Sequence, residues 1–587
     1  MGTNLEPIVR RIDDNIDSLL AFQKDLNGSS EKEKVILLDY PSVYIHNWGK
    51  GACYEVYIGE SNNVVQRTKQ HYKKADDKLE WQYQLKKNKA SLYIIGHEHF
   101  NKSLTLDIEN RLMHYMMCND YVRRVHNRKE NPQNRYYTDG EFNDIFRMIW
   151  MKLRRTDGLL FPKESAIKDS ALFKASPLHK LTQEQEDIKE IILERVFAAL
   201  DKNERGQLIF IDGEAGTGKT VLNSSTFYEL YLNAEERGKN DLQCYLLVNH
   251  DEQITVYKQI AEKLGLTDKY GKIVCKPTSF INHHPVDAPV DVVFIDEAHL
   301  LLTHGRQSYQ GNNQLEDIIN RARVTVVMFD ENQILTIDQY WESQILSRYR
   351  NIAKQNDNYF ELTNQMRMAA SIETMTWIDN FTKYHKISNL PKDDTGYEVK
   401  VFDCPAELEA AIKKRAREED HELSRIIATY DWEYSVNSSL EKRMMKYWEV
   451  AIGDWRKPWN RELDKDLDRR ERLKNKTLSW AEQPQTINEV GSTFTIQGFD
   501  LNYAGVILGP SVKYRNGQIV FDPDASYNTR ATISRTLSDG TKQRFGAALI
   551  QHEVRVLMTR GVNGLYLYAC DTELRNALKE AVTPFSL

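Results

Sequence analysis

The stretch Gln207-Leu-Ile-Phe-Ile-Asp-Gly-Glu-Ala-Gly-Thr-Gly-Lys-Thr220 decides the reading of this chain. An apolar run of strand type enters a glycine-rich turn and leaves through Lys219 and Thr220 into the first turn of a helix. Gly213, Gly216 and Gly218 free the backbone to curl so that its amides face phosphate oxygens; Lys219 adds a positive charge, and the Thr220 hydroxyl is placed for a magnesium ion. A glycine turn with an incidental lysine is the competing reading. The complete Gly-x4-Gly-Lys-Thr spacing behind an apolar strand disfavours it, and a nucleoside triphosphate is the expected ligand.

Working outward, further apolar strands follow at Tyr245–Val248, Val290–Ile295 and Val324–Phe329, separated by longer helical stretches. Near-continuous apolar strands are buried on both faces, as in a parallel sheet. A second set runs through 398–402, 425–430, 504–508 and 564–568. Two α/β lobes are therefore expected, at 181–390 and 391–587, with a charged, tryptophan-bearing insertion at about 437–485. Upstream, 35–165 reads as a small α/β domain with strands near Val43–Ile45, Glu55–Ile58 and Leu92–Ile95 and a helix from Leu104 to Met117. Residues 166–180 read as a polar linker. Residues 1–34 read as a helical segment, because Ile8, Ile12, Ile16, Leu19, Leu20 and Phe22 fall near helical spacing.

At 587 residues the chain exceeds one core and should divide into three or four domains. Its net charge of −6 excludes a surface uniformly coated in positive charge but not a local basic groove, so nucleic acid stays open as a partner. The six cysteines show no Cys-x2-Cys pairing, which disfavours a zinc ribbon and a disulfide framework and fits a reduced, cytoplasmic setting. No signal-type core and no membrane-length apolar run is present, so neither export nor a membrane partner is expected.

Carboxylates arrive where a nucleotide motor needs them. In Val292-Val-Phe-Ile-Asp-Glu-Ala-His299, Asp296 stands at the end of a buried strand, placed to hold magnesium through water, and Glu297 beside it is placed to orient the attacking water. His299 reads equally as a coupling residue or a packed histidine. The next strand ends in Met328-Phe-Asp-Glu-Asn-Gln333, whose Gln333 could sense the terminal phosphate and whose Asp330 could support the magnesium shell. Arg367, in Leu362-Thr-Asn-Gln-Met-Arg367, could stabilise charge on the transferring phosphoryl group. An arginine after a strand is otherwise usually a surface ion pair.

The order of these motifs resembles superfamily 1 helicases and, more narrowly, the Schlafen-like group 3 helicase domain, over roughly 178–587. The likeness also rests on Leu181-Thr-Gln-Glu-Gln185, Thr493-Phe-Thr-Ile-Gln-Gly498 and Val556-Leu-Met-Thr-Arg-Gly561. It implies two RecA-like parallel-sheet lobes forming a P-loop helicase core, with ATP and Mg2+ as cofactors. It further implies Gln185 as the adenine-reading glutamine, Gln497 and Gly498 as residues coupling the strand-binding surface to ATP, and Arg560 as a second-lobe finger entering the ATP cleft. Phe329-Asp-Glu-Asn-Gln333 departs from the Gly-Asp-x-x-Gln common in superfamily 1, which bears on translocation more than on hydrolysis.

A second constellation precedes the lobes: Ser42-Val-Tyr44, Tyr57-Ile-Gly59, Arg67, His71 and Glu109. Arg67 and His71, four apart on a helix, share one face, able to present a cation to a phosphodiester beside the two phenols. Glu109 supplies one hard oxygen for a divalent metal. Strand tyrosines that serve only as core, and a solvated Arg/His face, are the bland alternatives. The pattern is similar to the GIY-YIG nuclease domain, over about 38–140. That resemblance implies a small α/β fold in which Tyr44 and Tyr57 are active-site phenols, Arg67 stabilises phosphate, His71 assists proton transfer and Glu109 binds a single Mg2+ or Mn2+. It also implies a late asparagine, Asn131 by choice with Asn127 next. Ser42 stands where the family's first motif has glycine, and the spacer from Tyr44 to Tyr57 is slightly long.

Together these readings give an ATP-dependent nuclease-helicase acting on DNA rather than RNA, in a setting of defence against phage or foreign DNA that comes from the resemblance alone. A non-unwinding ATP switch controlling the nuclease, and a binding ATPase with a decayed nuclease site, are the other expectations. Lys442, Arg443, Lys446, Arg469, Arg470, Arg472 and Trp480 could line a strand groove, although the acidic residues among them equally suit a solvated charged helix.

Overall fold

A computed structural model describes residues 6–28, 30–49, 53–73, 81–82, 89–127, 136–305, 309–365, 367–418, 421–435, 445–476 and 478–582. The chain divides into two compact units, Met1–Lys180 with Val256–Lys272, and Leu181–Thr255 with Ile273–Leu587.

The first unit is built on a sheet ordered β1-β4-β2-β3-β5, from β1 (Ile8–Asp13), β2 (Ser42–Gly49), β3 (Tyr54–Ser61), β4 (Ala90–Gly96) and β5 (Val122–Val125). Pairing is antiparallel except for β3 with β5. The helical expectation for residues 1–34 needs correction. Residues 8–13 form an edge strand on β4, with Ile8 opposite Gly96 and Ile12 opposite Leu92. Helix begins only at α1 (Ile16–Asp25), where the Asn15 side chain caps Ser18 N–H, and α2 (Glu31–Leu38) follows. The supposed linker 166–180 is also folded: its helices Glu164–Asp169 and Ala171–Lys174 bury Ala171 and Leu172, and Phe173 stacks on His114.

The second unit holds two all-parallel sheets. The first is ordered β11-β6-β10-β9-β7-β8, from β6 (Gln207–Gly213), β7 (Cys244–Leu247), β8 (Val274–Cys275), β9 (Val290–Ile295), β10 (Ala322–Phe329) and β11 (Tyr359–Leu362). The second is ordered β12-β22-β17-β13-β16, from β12 (Glu398–Val401), β13 (Arg425–Ala428), β16 (Val490–Gly491), β17 (Leu501–Leu508) and β22 (Gly561–Ala569). Three hairpins decorate the second lobe: β14 (Glu449–Ile452) with β15 (Trp455–Pro458), β18 (Val512–Arg515) with β19 (Gln518–Phe521), and β20 (Ser534–Thr536) with β21 (Lys542–Arg544). The central strands are predominantly apolar, as covering on both faces demands, with Asp291, Arg323, Thr325 and Asn502 the polar positions of β9, β10 and β17.

The insertion does not supply the aromatic groove considered above. Trp448, Trp459 and Trp480 are buried. A Cβ on Gly491 would come within 2.6 Å of the Trp480 ring, so that indole fills space left by a missing side chain and is not presented to bases. Lys446 pairs with Asp466, and Arg469, Arg470 and Arg472 are exposed, while Lys442 and Arg443 lie outside the described residues. Among the described residues, no helix is long and apolar enough to cross a membrane, and the six cysteines are free thiols.

One carboxyl in the second lobe makes stability depend on pH. Glu553, in the helix Gly546–Met558, is buried and accepts from Tyr430 N–H at 2.9 Å and from the Thr493 hydroxyl at 3.5 Å. Burial, with the nearby Asp431 charge, pushes its pKa up to about 8. Between the ordinary carboxylate range and that value the unfolded chain releases a proton that the folded chain keeps. Stability is therefore full at low pH and falls by about 1.4 kcal/mol per pH unit as pH rises through this window. Glu553→Gln keeps the acceptor oxygen and removes the titration. It is expected to raise the melting temperature at pH 8 and to flatten the pH profile between pH 5 and 8; a profile as steep as that of the parent protein would refute the assignment.

Candidate functional site

In the second unit the phosphate loop joins β6 to the helix Lys219–Glu236. Gly216 and Gly218 have φ of +89° and +79°, a left-handed backbone that favours glycine. A Cβ on Gly216 would sit 2.7 Å from Arg367 Cβ, so the loop and Arg367 pack directly together. Lys219 Nζ donates to the carbonyls of Gly213 and Glu214 at 2.7 and 2.9 Å and lies 3.5 Å from Asp330 Oδ2. Gln185 is buried: its Oε1 accepts from Thr182 N–H at 3.0 Å and its Nε2 donates to Thr217 O at 3.1 Å. Adenine reading by Gln185 would have to use the remaining N–H and lone pair. A cleft of about 820 Å³ opens beside the loop, lined by Glu214, Ala215, Thr217, Asp330 and Gln365 among others, within the size range of nucleotide-type sites.

Both lobes meet around Gln333. Its Nε2 donates to Asp330 Oδ2 at 2.8 Å, its Oε1 accepts from Arg560 Nη2 at 3.0 Å, and its backbone carbonyl accepts from Gln497 Nε2 at 3.2 Å. Gln497 Nε2 also lies 3.3 Å from His299 Nε2. Glu297 holds a left-handed φ of +48°, rare for a non-glycine residue and of the kind found at functional sites. Its Oε1 accepts from Gln253 Nε2 at 3.3 Å, and Gln253 in turn lies where a Cβ on Gly498 would be, 2.5 Å away. The Gln497-Gly498 element thus reaches Glu297 through Gln253, a residue with no motif to announce it.

The electrostatics suit polarised phosphoryl chemistry. Burial would raise the Glu297 carboxyl, but the His299 ring and the Lys219 ammonium lower it overall, so it stays ionised as a base needs to be. Asp330 follows the same pattern, burial opposed chiefly by Lys219. Burial and the neighbouring Arg367 bring the Arg560 guanidinium down to about 9, still charged at neutral pH. Arg367 sits 2.6 Å from Asp500 Oδ1 through Nε, and its Nη1 is buried with no hydrogen-bond partner among the described residues. A buried cationic donor beside a left-handed glycine loop fits a phosphate ligand. The residues that would hold Mg-ATP are the loop amides, Lys219, Thr220 and Asp296, with Asp296 buried and its Oδ1 accepting from Glu297 N–H at 3.1 Å.

A family model for the Schlafen group 3 DNA/RNA helicase domain matches residues 206–571, a span that contains the loop, Glu297, Gln333, Gln497 and Arg560. The chain belongs to this family. Its helicase domain is thus a nucleic-acid-acting ATPase type, with ATP and magnesium as the usual companions. The chain is also 32% identical over 431 residues to the uncharacterized protein YPL245W of Saccharomyces cerevisiae, covering 68% of this chain and 90% of that protein. Among solved structures, a Pif1 helicase in a study of DNA unwinding at forked double-stranded DNA aligns with 69% of this chain and 95% of its own, at 12% identity and a TM-score of 0.27. A DEAD box protein of the hyperthermophile Methanococcus jannaschii aligns with 71% and 94%, at 13% identity and a TM-score of 0.25.

In the first unit, Tyr44 on β2 and Tyr57 on β3 converge with α3 (Val64–Lys73) and the helix Lys102–Met117. Tyr44 Oη lies 3.1 Å from His71 Nε2. Glu109 is buried, and its Oε1 accepts from Asn127 Nδ2 at 2.7 Å, which also donates to Ile58 O at 2.7 Å. The asparagine placed against Glu109 is therefore Asn127; Asn131, preferred from sequence, lies outside the described residues. Burial would depress the Arg67 guanidinium, but the Tyr44 and Tyr57 phenols beside it raise it overall. Burial raises both phenols, with Arg67 opposing it.

Sequence reasoning missed several neighbours. Trp81 stacks on Tyr57 at 4.0 Å between ring centroids. His46 on β2 is fully buried, with Nδ1 2.6 Å from Asp14 Oδ2, and its ring lies 5.7 Å from that of His71. The available signal is a histidine inside the strand-type run Val43–Trp48. Ser42 is buried opposite Ser61 without disturbing β2–β3 pairing.

Proposed function

We propose that the chain is an ATP-dependent nuclease-helicase. The cleft around Lys219, Glu297, Gln333 and Arg560 hydrolyses ATP and drives the two lobes against nucleic acid, DNA rather than RNA. The amino-terminal domain is a GIY-YIG-type endonuclease that cuts a phosphodiester with one Mg2+ or Mn2+ at Glu109. The observation that carries this reading is the convergence of Tyr44, Tyr57, Arg67, His71, Glu109 and Asn127 in a chain whose helicase family is known. Defence against phage or foreign DNA is the role such an architecture suits.

The test is a metal-dependent cleavage assay on supercoiled DNA, single strands and RNA, run beside an ATPase assay. Lys219→Ala is expected to abolish ATP hydrolysis. Glu109→Ala and Arg67→Ala are expected to abolish cleavage while hydrolysis persists; cleavage surviving both removes the nuclease assignment. A second reading, an ATP-sensing switch that does not unwind, is favoured by the second-lobe arginine Arg560 already bonded to Gln333. Cleavage that responds to ATP while a strand-displacement assay stays blank would select it.

A further inference from the structure

Glu214 follows Gly213 in the phosphate loop, and it is held at both ends. Its carbonyl accepts from Lys219 Nζ at 2.9 Å and from the Thr217 hydroxyl at 2.9 Å. Its carboxylate accepts from Lys383 Nζ at 2.6 Å and from Arg555 Nη2. Arg555 comes from the second lobe, on the helix Gly546–Met558, and is only 7% exposed. Its other arm, Nη1, donates to Asp379 Oδ1 and, at 3.2 Å, to Thr382 Oγ1, both on the first-lobe helix Ile372–Thr382. None of the motifs used above includes Arg555. In sequence it stands out only as a charge inside the apolar run Val554–Met558.

A guanidinium withdrawn from water is costly unless its donors meet acceptors of opposite charge, and its planar fork can serve two carboxylates at once where an ammonium serves one. Here the two carboxylates belong to different elements, and one of them is the loop residue whose carbonyl holds the phosphate-binding lysine. Two residues beyond the same helix stands Arg560, bonded to Gln333. We propose that Arg555 is a positioning residue for ATP hydrolysis: a lever that ties the 546–560 segment, and with it Arg560, to the conformation of the phosphate loop through Glu214. This inference rests on reading the loop as an ATP site.

A lever of this kind sets the alignment of Arg560 and leaves triphosphate binding to the loop amides and Lys219. Arg555→Ala is therefore expected to lower kcat at least tenfold while KM for ATP stays within threefold. Glu214→Gln, at a half-exposed side chain, should lower kcat at least threefold with the same small change in KM. Combining the two should cost no more than Arg555→Ala alone, because both cut one link. Arg555→Lys should recover part of the loss. Arg535→Ala is the control for simple adhesion: Arg535 clasps the first lobe at Thr303 Oγ1, 2.8 Å, and Ile337 O, 3.0 Å, without touching the phosphate loop, and should not reproduce the kcat-only loss. A kcat within twofold of the parent in Arg555→Ala, additive losses with Glu214→Gln, or an equal loss from Arg535→Ala would overturn the lever. If Arg555→Ala fails to fold, the Glu214→Gln and Arg555→Lys kinetics decide. Lys219→Ala belongs in the same series: hydrolysis surviving that change defeats the ATP-site reading itself, a failure distinct from that of the lever.

Discussion

Arg560→Ala is expected to lower kcat for ATP hydrolysis by about 10³-fold, the scale on which a transition-state arginine acts, with ATP binding largely kept. Arg560 is fully buried, its Nη1 fixed on Phe499 O at 3.2 Å and its Nη2 on Gln333 Oε1 at 3.0 Å, while Nε is buried with no hydrogen-bond partner among the described residues. A charge held in a water-excluded site interacts far more strongly with developing phosphoryl charge than it would at the surface, and it needs no reorganisation as that charge appears. Arg560→Lys should fall nearly as far, since an ammonium cannot meet both the Phe499 carbonyl and the Gln333 amide in one plane. Steady-state ATPase kinetics with a fluorescent-nucleotide binding assay and a melting curve check this. A kcat within tenfold of the parent in a folded, nucleotide-binding Arg560→Ala protein would remove Arg560 from the reaction.

How legible these features were in the sequence follows from how local their causes are. The phosphate loop is local: three glycines, a lysine and a threonine in one turn specify the backbone curl and the charge together, and Gly216 and Gly218 adopt the left-handed backbone that their spacing suggests. The contacts that join the lobes are not local. Gln333 meets Arg560 and Gln497 across 227 and 164 residues, and only the packed lobes bring those groups together. The error at the amino terminus has a similar origin. Ile8 and Ile12 are four apart, which suits one face of a helix but is also a multiple of the strand period of two. Pairing with β4 decides for strand, and that partner lies some eighty residues along the chain. Residues 166–180 looked like a linker because their composition is polar, yet Phe173 finds His114 and closes a small core. Arg555 and His46 share a different lesson: an ionisable residue within an apolar run is costly to bury, so its presence there points to a partner that the sequence does not name.

The second large effect concerns Gly59. On β3 it lies opposite Tyr44, and a Cβ there would sit 2.4 Å from Tyr44 Oη and 2.5 Å from Cζ. The tyrosine ring lies flat across the glycine, so the requirement for glycine is steric. Tyr44 has nowhere to retreat, because it is 1% exposed and packs with Leu19, Val64, Leu92 and Ile94. Gly59→Ala must therefore swing the phenol or part the strands, and either movement breaks the 3.1 Å approach of Tyr44 Oη to His71 Nε2. The expected result is at least a 100-fold loss of metal-dependent cleavage, the scale of a displaced proton-transfer group, and a stability loss of about 1–3 kcal/mol in the first unit from overpacking. ATP hydrolysis should be unchanged. Tyr44→Phe separates the two causes: it keeps the ring and the packing but removes the hydroxyl, so it should melt like the parent and still cleave poorly. If Gly59→Ala cleaves at the parent rate, Tyr44 is a core residue only and the phenol has no part in the chemistry. If Tyr44→Phe alone cleaves normally, the ring's position matters and its hydroxyl does not, leaving Arg67, His71 and Glu109 to carry the reaction.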